Sequence, residues 1–228
     1  MRLAAAVLAV LALALAAGGA AALVADADAA DAGITTLDPA RRLDAADAAV
    51  RRQPWNAGYR LAYARLLLPA GDTDPSAAAA ARGQFQAALR LAPADPAVWL
   101  RWEEFLARTA PGDPALALAA GQLNRLAPNE PNLQVLQADL AVRGWHLASP
   151  ALQAAWLENL HYAIQHDRGA FLLHSFRIGE EDNLCRSSAQ LGLDDWCELA
   201  RKTRTACLRG PLDAGQAQWC RLMGAAAQ

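Results

Sequence analysis

Arg90-Leu91-Ala92-Pro93-Ala94-Asp95-Pro96 returns as Arg125-Leu126-Ala127-Pro128-Asn129-Glu130-Pro131, 35 residues further along the chain. Five of the seven positions are identical and a sixth exchanges Asp for Glu. A recurrence of about 34 residues marks stacked helix-turn-helix units. The first proline of each copy stops one helix, because its ring removes a donor and crowds the preceding turn. The second proline starts the next helix, where a missing N–H costs nothing. The expectation is an all-α chain, an α-solenoid of about three such units.

Working outward, Asp38-Pro39 opens a lone helix to about Gln53, with Leu43, Ala46, Ala49 and Val50 on one face. The first full unit spans about Trp55 to Pro93. Its first helix carries Tyr59, Leu61, Tyr63, Leu66 and Leu67 and is expected to end at Pro69-Ala70-Gly71. Its second carries Ala81-x3-Phe85-x2-Ala88-x4-Pro93. The second unit, Pro96 to Pro128, has Trp99 and Trp102, a turn at Pro111-Gly112-Asp113-Pro114, and Leu116, Ala120 and Leu123. The two tryptophans read as core, with sugar-stacking platforms as the alternative. The third unit starts at Pro131, runs through Val135, Leu136, Leu140 and Val142 to about Trp145, and turns at Ala148-Ser149-Pro150. Its second helix, Ala151–His166, faces Trp156, Leu160 and Ala163 inward. Asp167-Arg168-Gly169 then stands where the closing proline is due, and the period is lost. Ala170–Ile178 is expected as one more helix.

The two ends differ in kind from the middle. After Arg2, Leu3 to Ala25 carries no charge, and an acidic run, Asp26 to Asp31, follows. As a helix that run reaches ~34 Å, enough to cross a bilayer core. Residues 1–25 therefore read as a transmembrane anchor. The first Lys or Arg beyond it is Arg41, so the bulk of the chain is expected outside the cytoplasm. A cleaved signal peptide is the alternative, with Ala-x-Ala sites at Ala20–Ala22 and Ala25–Ala27. Residues 26–37 read as a linker and 38–167 as the repeats. Residues 168–228 read as a helical cap holding all four cysteines. An even cysteine count in an exported segment reads as two disulfides. Asp194 is a plausible cap for a helix to about Leu208, which would hold Cys197 and Cys207 about 15 Å apart, too far to bridge. Cys185–Cys197 with Cys207–Cys220 is favoured, because the first pair flanks Leu191-Gly192-Leu193 symmetrically. Cys185–Cys207 with Cys197–Cys220 is the other possibility.

Chemistry is sparse. Net charge is −2 and Lys202 is the one lysine, which leaves no basic face for nucleic acid. Glu158-x-x-His161 has di-iron half-site spacing but no second copy, and His161 and His166 fall on different helix faces. His146, beside Trp145, reads as a packed or rim residue. His174 could pair with a cysteine nucleophile, but the even cysteine count favours disulfides. No phosphate loop, CxxC, CxxCH or G-x-S-x-G occurs. The expectation is no enzyme, no metal and no cofactor. One constellation does follow the period: Glu104 with Arg108, and Asp139 with Arg143, are i,i+4 pairs 35 residues apart on first helices. They read as groove candidates for a peptide tail or sugar hydroxyls, against ordinary helix-stabilising pairs worth about 0.2–0.5 kcal/mol.

The A-x3-F…P spacing resembles tetratricopeptide repeats, over residues 38–167; Leu116, Ala120 and Leu123 depart from it by exchanging large and small positions. That resemblance implies a concave groove in which Glu104, Arg108, Asp139 and Arg143 would lie. More narrowly, an anchored, alanine-rich chain with R-L-A-P-x-[DE]-P repeats resembles VpsP-type accessory proteins of bacterial exopolysaccharide clusters and the repeat regions that accompany O-antigen polymerases and ligases. The resemblance implies a non-catalytic periplasmic scaffold, single-pass at the inner membrane. Its partners would be membrane proteins of a polysaccharide assembly or export system, and the polysaccharide itself. A secreted module binding a glycan or peptide directly is the alternative.

Overall fold

The structure, a computed structural model, describes residues 2–33, 36, 38–71, 73–177, 181–186, 188–209 and 220, without side-chain placement at 2–17, 170, 173, 176, 177, 181 and 208. The described residues form helices and turns and no strand. In order, these are α1 (Arg2–Gly33), α2 (Pro39–Arg52), α3 (Ala57–Gly71), α4 (Pro75–Leu91), α5 (Pro96–Thr109), α6 (Pro114–Leu126) and α7 (Pro131–Gly144). A 3₁₀ turn (Trp145–Leu147) leads to α8 (Pro150–Arg177), α9 (Glu181–Cys185), α10 (Ser188–Leu191) and α11 (Asp194–Arg209). Two compact units result, Met1–Phe105 and Leu106–Gln228. Their boundary lies inside α5.

One turn recurs. Gln53, Ala92 and Ala127 each precede a proline and leave the helix at φ/ψ of −132/74°, −135/65° and −137/55°. Proline Cδ excludes the α region for the residue before it, so the exit is steric. Each of these residues still returns its N–H to the carbonyl four back, Ala49, Ala88 or Leu123. The proline carbonyl that follows is then capped from six residues ahead. Arg60 Nε reaches Pro54 O at 2.7 Å, Trp99 Nε1 reaches Pro93 O at 2.8 Å, and Gln134 Nε2 reaches Pro128 O at 2.7 Å. Three different donors do the same work, satisfying a carbonyl that the turn takes out of the helical ladder.

In the first unit α3 and α4 pack as a hairpin. Asp74 caps α4 through Ser76 N at 2.8 Å. Ala81, Phe85 and Ala88 are fully buried, so the small residues let the helices close and Phe85 fills the gap. Phe85 lies 5.1 Å from Phe105, and Trp102 stacks on Phe105 at 5.4 Å. The Arg82 guanidinium sits over both rings, 5.5 Å and 5.9 Å from their centres. Trp102 is core; Trp99 is half-buried. The first helix of this unit's hairpin, α3, ends at Gly71, within the expected Pro69-Ala70-Gly71, with Pro69 inside its last turn.

The segment 26–37 does not behave as a linker where it is described. The acidic run continues α1 to Gly33, because its residues find partners on the next two helices. Tyr59 Oη donates to Asp26, Asp28 pairs with Arg52, and Arg42 Nε reaches Ala32 O at 3.0 Å. Ala25 and Ala32 are buried. The hydrogen bond to Asp26 pushes the Tyr59 hydroxyl up to about 12. Its folded value is raised, so this contribution is full below the ordinary tyrosine pKa near 10 and is lost as pH rises through about 12. Among the described residues no helix is long and apolar enough to cross a membrane. The expected anchor, 1–25, lies for the most part where no side chain is described.

The second unit centres on α6, α7 and α8, with Leu116, Leu123, Ala138, Ala141, Leu152, Trp156 and Leu160 buried. Asn159, 1% exposed, gives Nδ2 to Asn124 Oδ1 and Ala155 O, both at 3.1 Å. Asn124 Nδ2 binds the same carbonyl at 3.0 Å. A buried amide pair satisfied this way fixes the register of α6 on α8. Gly144 ends α7 against Trp156: a Cβ there would lie 2.9 Å from the indole ring. Cys185–Cys197 joins α9 to α11, and Cys207–Cys220 ties the end of α11 to Cys220. Both Cys197 and Cys207 stand on the unbroken α11, which keeps them apart. Gly192 makes the turn into α11 at φ 65°, where other residues are strained. Ile178, the expected end of a last helix, is outside the described residues.

Gly144→Ala forces the buried Trp156 to move, and is expected to lower unfolding free energy by about 1–3 kcal/mol. Gly121→Ala, open to solvent space and inside α6, is expected to leave it unchanged or raise it. Chemical denaturation of the two variants beside the wild type checks both.

Candidate binding groove

The second unit contains an open groove of about 490 Å³ between α7 and the two arms of α8. Its existence follows from Asp167. At φ −148° and ψ 74°, Asp167 repeats the excursion made at Gln53, Ala92 and Ala127. No proline follows it, so the chain re-enters the α conformation at once, and Pro150–Arg177 is two helical arms joined across a kink. The bend separates Ala163 and His166 on the first arm from Phe171 and His174 on the second. Val135, Leu136 and Asp139 of α7 face the gap. Gln134, Gln137, Ala138, Ala141 and Val142 are the buried residues of α7, which leaves Val135 and Leu136 each 41% exposed.

Asp139 is the polar centre. Arg143 Nε donates to Oδ2 at 3.0 Å, the expected i,i+4 pair. His174 Nε2 lies 2.7 Å from Oδ1 and joins the second arm of α8 to α7. Both carboxylate oxygens are thus engaged by the protein itself. On the other side, Tyr162 stacks on His166 at 5.4 Å. The groove therefore offers an apolar floor beside a rim whose acid is already neutralised. Such a surface takes an apolar side chain and discriminates by its edge.

The other expected pair is placed differently. Arg101 Nη1 donates to both carboxylate oxygens of Glu104, at 2.7 Å each, and Glu104 belongs to the first unit while Arg108 falls in the second. Sequence reasoning missed His174, yet the signal was present. Asp139 and His174 are 35 residues apart, as are Asn124 and Asn159, so residues one period apart meet on neighbouring helices. Glu104 shares that register, 35 residues before Asp139. Among the described residues no cysteine is free, and no group of three His, Cys, Asp or Glu side chains could hold a metal ion. A second depression, near the Cys185–Cys197 bridge, is lined mainly by charges of both signs, including Asp182, Arg186, Glu198 and Arg201. No protein-family model, curated protein or solved structure matches the chain.

The Asp139 cluster is half-exposed, so its pairs should contribute only about 0.2–1 kcal/mol each. A double-mutant cycle on Asp139→Ala and His174→Ala is expected to return a coupling in that range, with the fold intact by circular dichroism.

Proposed function

We propose that this chain is a non-catalytic interaction module of the bacterial cell envelope, a tetratricopeptide-like helical stack that docks membrane proteins of a polysaccharide assembly or export system. The observation that carries the docking role is the apolar groove at Val135, Leu136 and Phe171, open to solvent beside a self-paired carboxylate. Helix grooves of this kind accept an apolar side of a partner segment, with the rim setting its orientation. The exopolysaccharide or O-antigen setting rests on the sequence resemblance. Placement at the inner membrane with the helical units in the periplasm rests on Arg2, the uncharged run after it, and two disulfides, which persist in an oxidising compartment.

A protein segment suits this groove better than a saccharide. Sugar recognition asks for free polar groups aimed at hydroxyls, and both oxygens of Asp139 are already taken. Direct glycan binding is therefore the weaker reading.

Leu136→Asp places a charge on the groove floor at a residue already 41% exposed, so the fold should survive. In-cell crosslinking followed by purification is expected to recover membrane glycosyl-polymer proteins with the wild type, and at least tenfold less of them with Leu136→Asp. Equal recovery with both would remove the groove from the interaction. Recovery of the wild-type chain alone would contradict the scaffold role.

A further inference from the structure

We propose that the first unit is seated on a lipid bilayer, with Trp55 at the headgroup level and the uncharged part of α1 retained in the membrane as a helix. The proposal deepens the membrane-anchored reading above and rests on it. Three observations lead to it. First, α1 is one helix from Arg2 to Gly33, so the uncharged run Leu3–Ala25 and the acidic run that docks on α2 and α3 share a single axis. Asp26–Tyr59, Asp28–Arg52 and Ala32–Arg42 hold that axis at three successive places. The unit is fixed directly to the uncharged run.

Second, both Ala-x-Ala sites, Ala20–Ala22 and Ala25–Ala27, lie inside this helix. Cleavage after Ala27 would remove Ala25, which is fully buried, and Asp26, the acceptor of Tyr59. The segment that cleavage at the second site would discard is thus part of the folded unit. Cleavage after Ala22 would leave these contacts in place, and is decided by the intact mass below.

Third, the chain's path brings an exposed indole to the edge of the uncharged run. Arg42, early in α2, meets Ala32 near the end of α1, while Arg52, the last residue of α2, meets the earlier Asp28. Hence α2 runs antiparallel to α1, and the α2–α3 turn points back toward the amino end. Trp55 sits in that turn and is 67% exposed. Leu23 and Val24, the last large apolar residues before Asp26, are 73% and 46% exposed. Exposed apolar residues and a tryptophan at the point where charge begins are what a membrane–water boundary selects. Arg51 and Arg52, at the end of α2, bring cationic stems to the same level, where lipid phosphates lie.

The test uses the full chain, purified from the envelope in detergent and reconstituted into phosphatidylethanolamine–phosphatidylglycerol vesicles, with or without acyl chains brominated near the headgroup. Intact mass is expected to show an uncleaved chain, which floats with the vesicles. Brominated lipid should quench about one-seventh of the emission, the share of one tryptophan among seven, and Trp55→Tyr should abolish that drop. Because Trp55 is exposed, the variant should melt with the wild type. A floating, full-length chain whose quenching is the same with and without Trp55 overturns the seating and leaves the anchor standing. A mass that begins after Ala22 or Ala27, or a chain that stays with the soluble fraction, overturns both.

Discussion

The steric conflict between a proline ring and the residue before it organises this molecule. At Gln53, Ala92 and Ala127 that conflict expels one residue from the helix, and a donor six residues beyond the proline closes the turn. Helix length, hairpin spacing and the meeting of residues one period apart all follow from where the prolines stand. The buried Asn124–Asn159 pair and the exposed Asp139–His174 pair are two products of one spacing, the first serving register and the second framing a groove.

The groove is the consequence of a missing proline. Asp167 reaches the same backbone conformation as its three counterparts, but with Arg168 in place of a proline the next helical arm starts at once, and the two arms of α8 meet at a kink. A bend opens space that a tight turn would have filled with the next helix. Apolar residues of α7 that would otherwise have been covered, Val135 and Leu136, are left at the surface. Loss of the period in the sequence and the gain of a concave surface are thus the same event.

Much of the helical layout was legible because its causes are local. Proline positions, the turn at Pro111-Gly112-Asp113-Pro114, and the alanine and Phe85 pattern on α4 each act within a few residues. What was not legible depended on partners distant in the chain. Asp26 and Asp28 look like solvent-facing linker residues until Tyr59 and Arg52 are brought beside them. Glu104 accepts from Arg101 three residues before it, a contact that the i,i+4 reading did not include. His174 was readable only by carrying the 35-residue register past the point where the prolines stop.

A photo-crosslinking amino acid at position 136, compared with one at position 118, tests the groove most directly. Leu118 is also in the second unit and is 71% exposed, but it is not in the groove. Irradiation of intact cells is expected to give a discrete adduct with a membrane protein from position 136 and none from position 118. Adducts of equal yield from both positions, or from neither, would contradict the account.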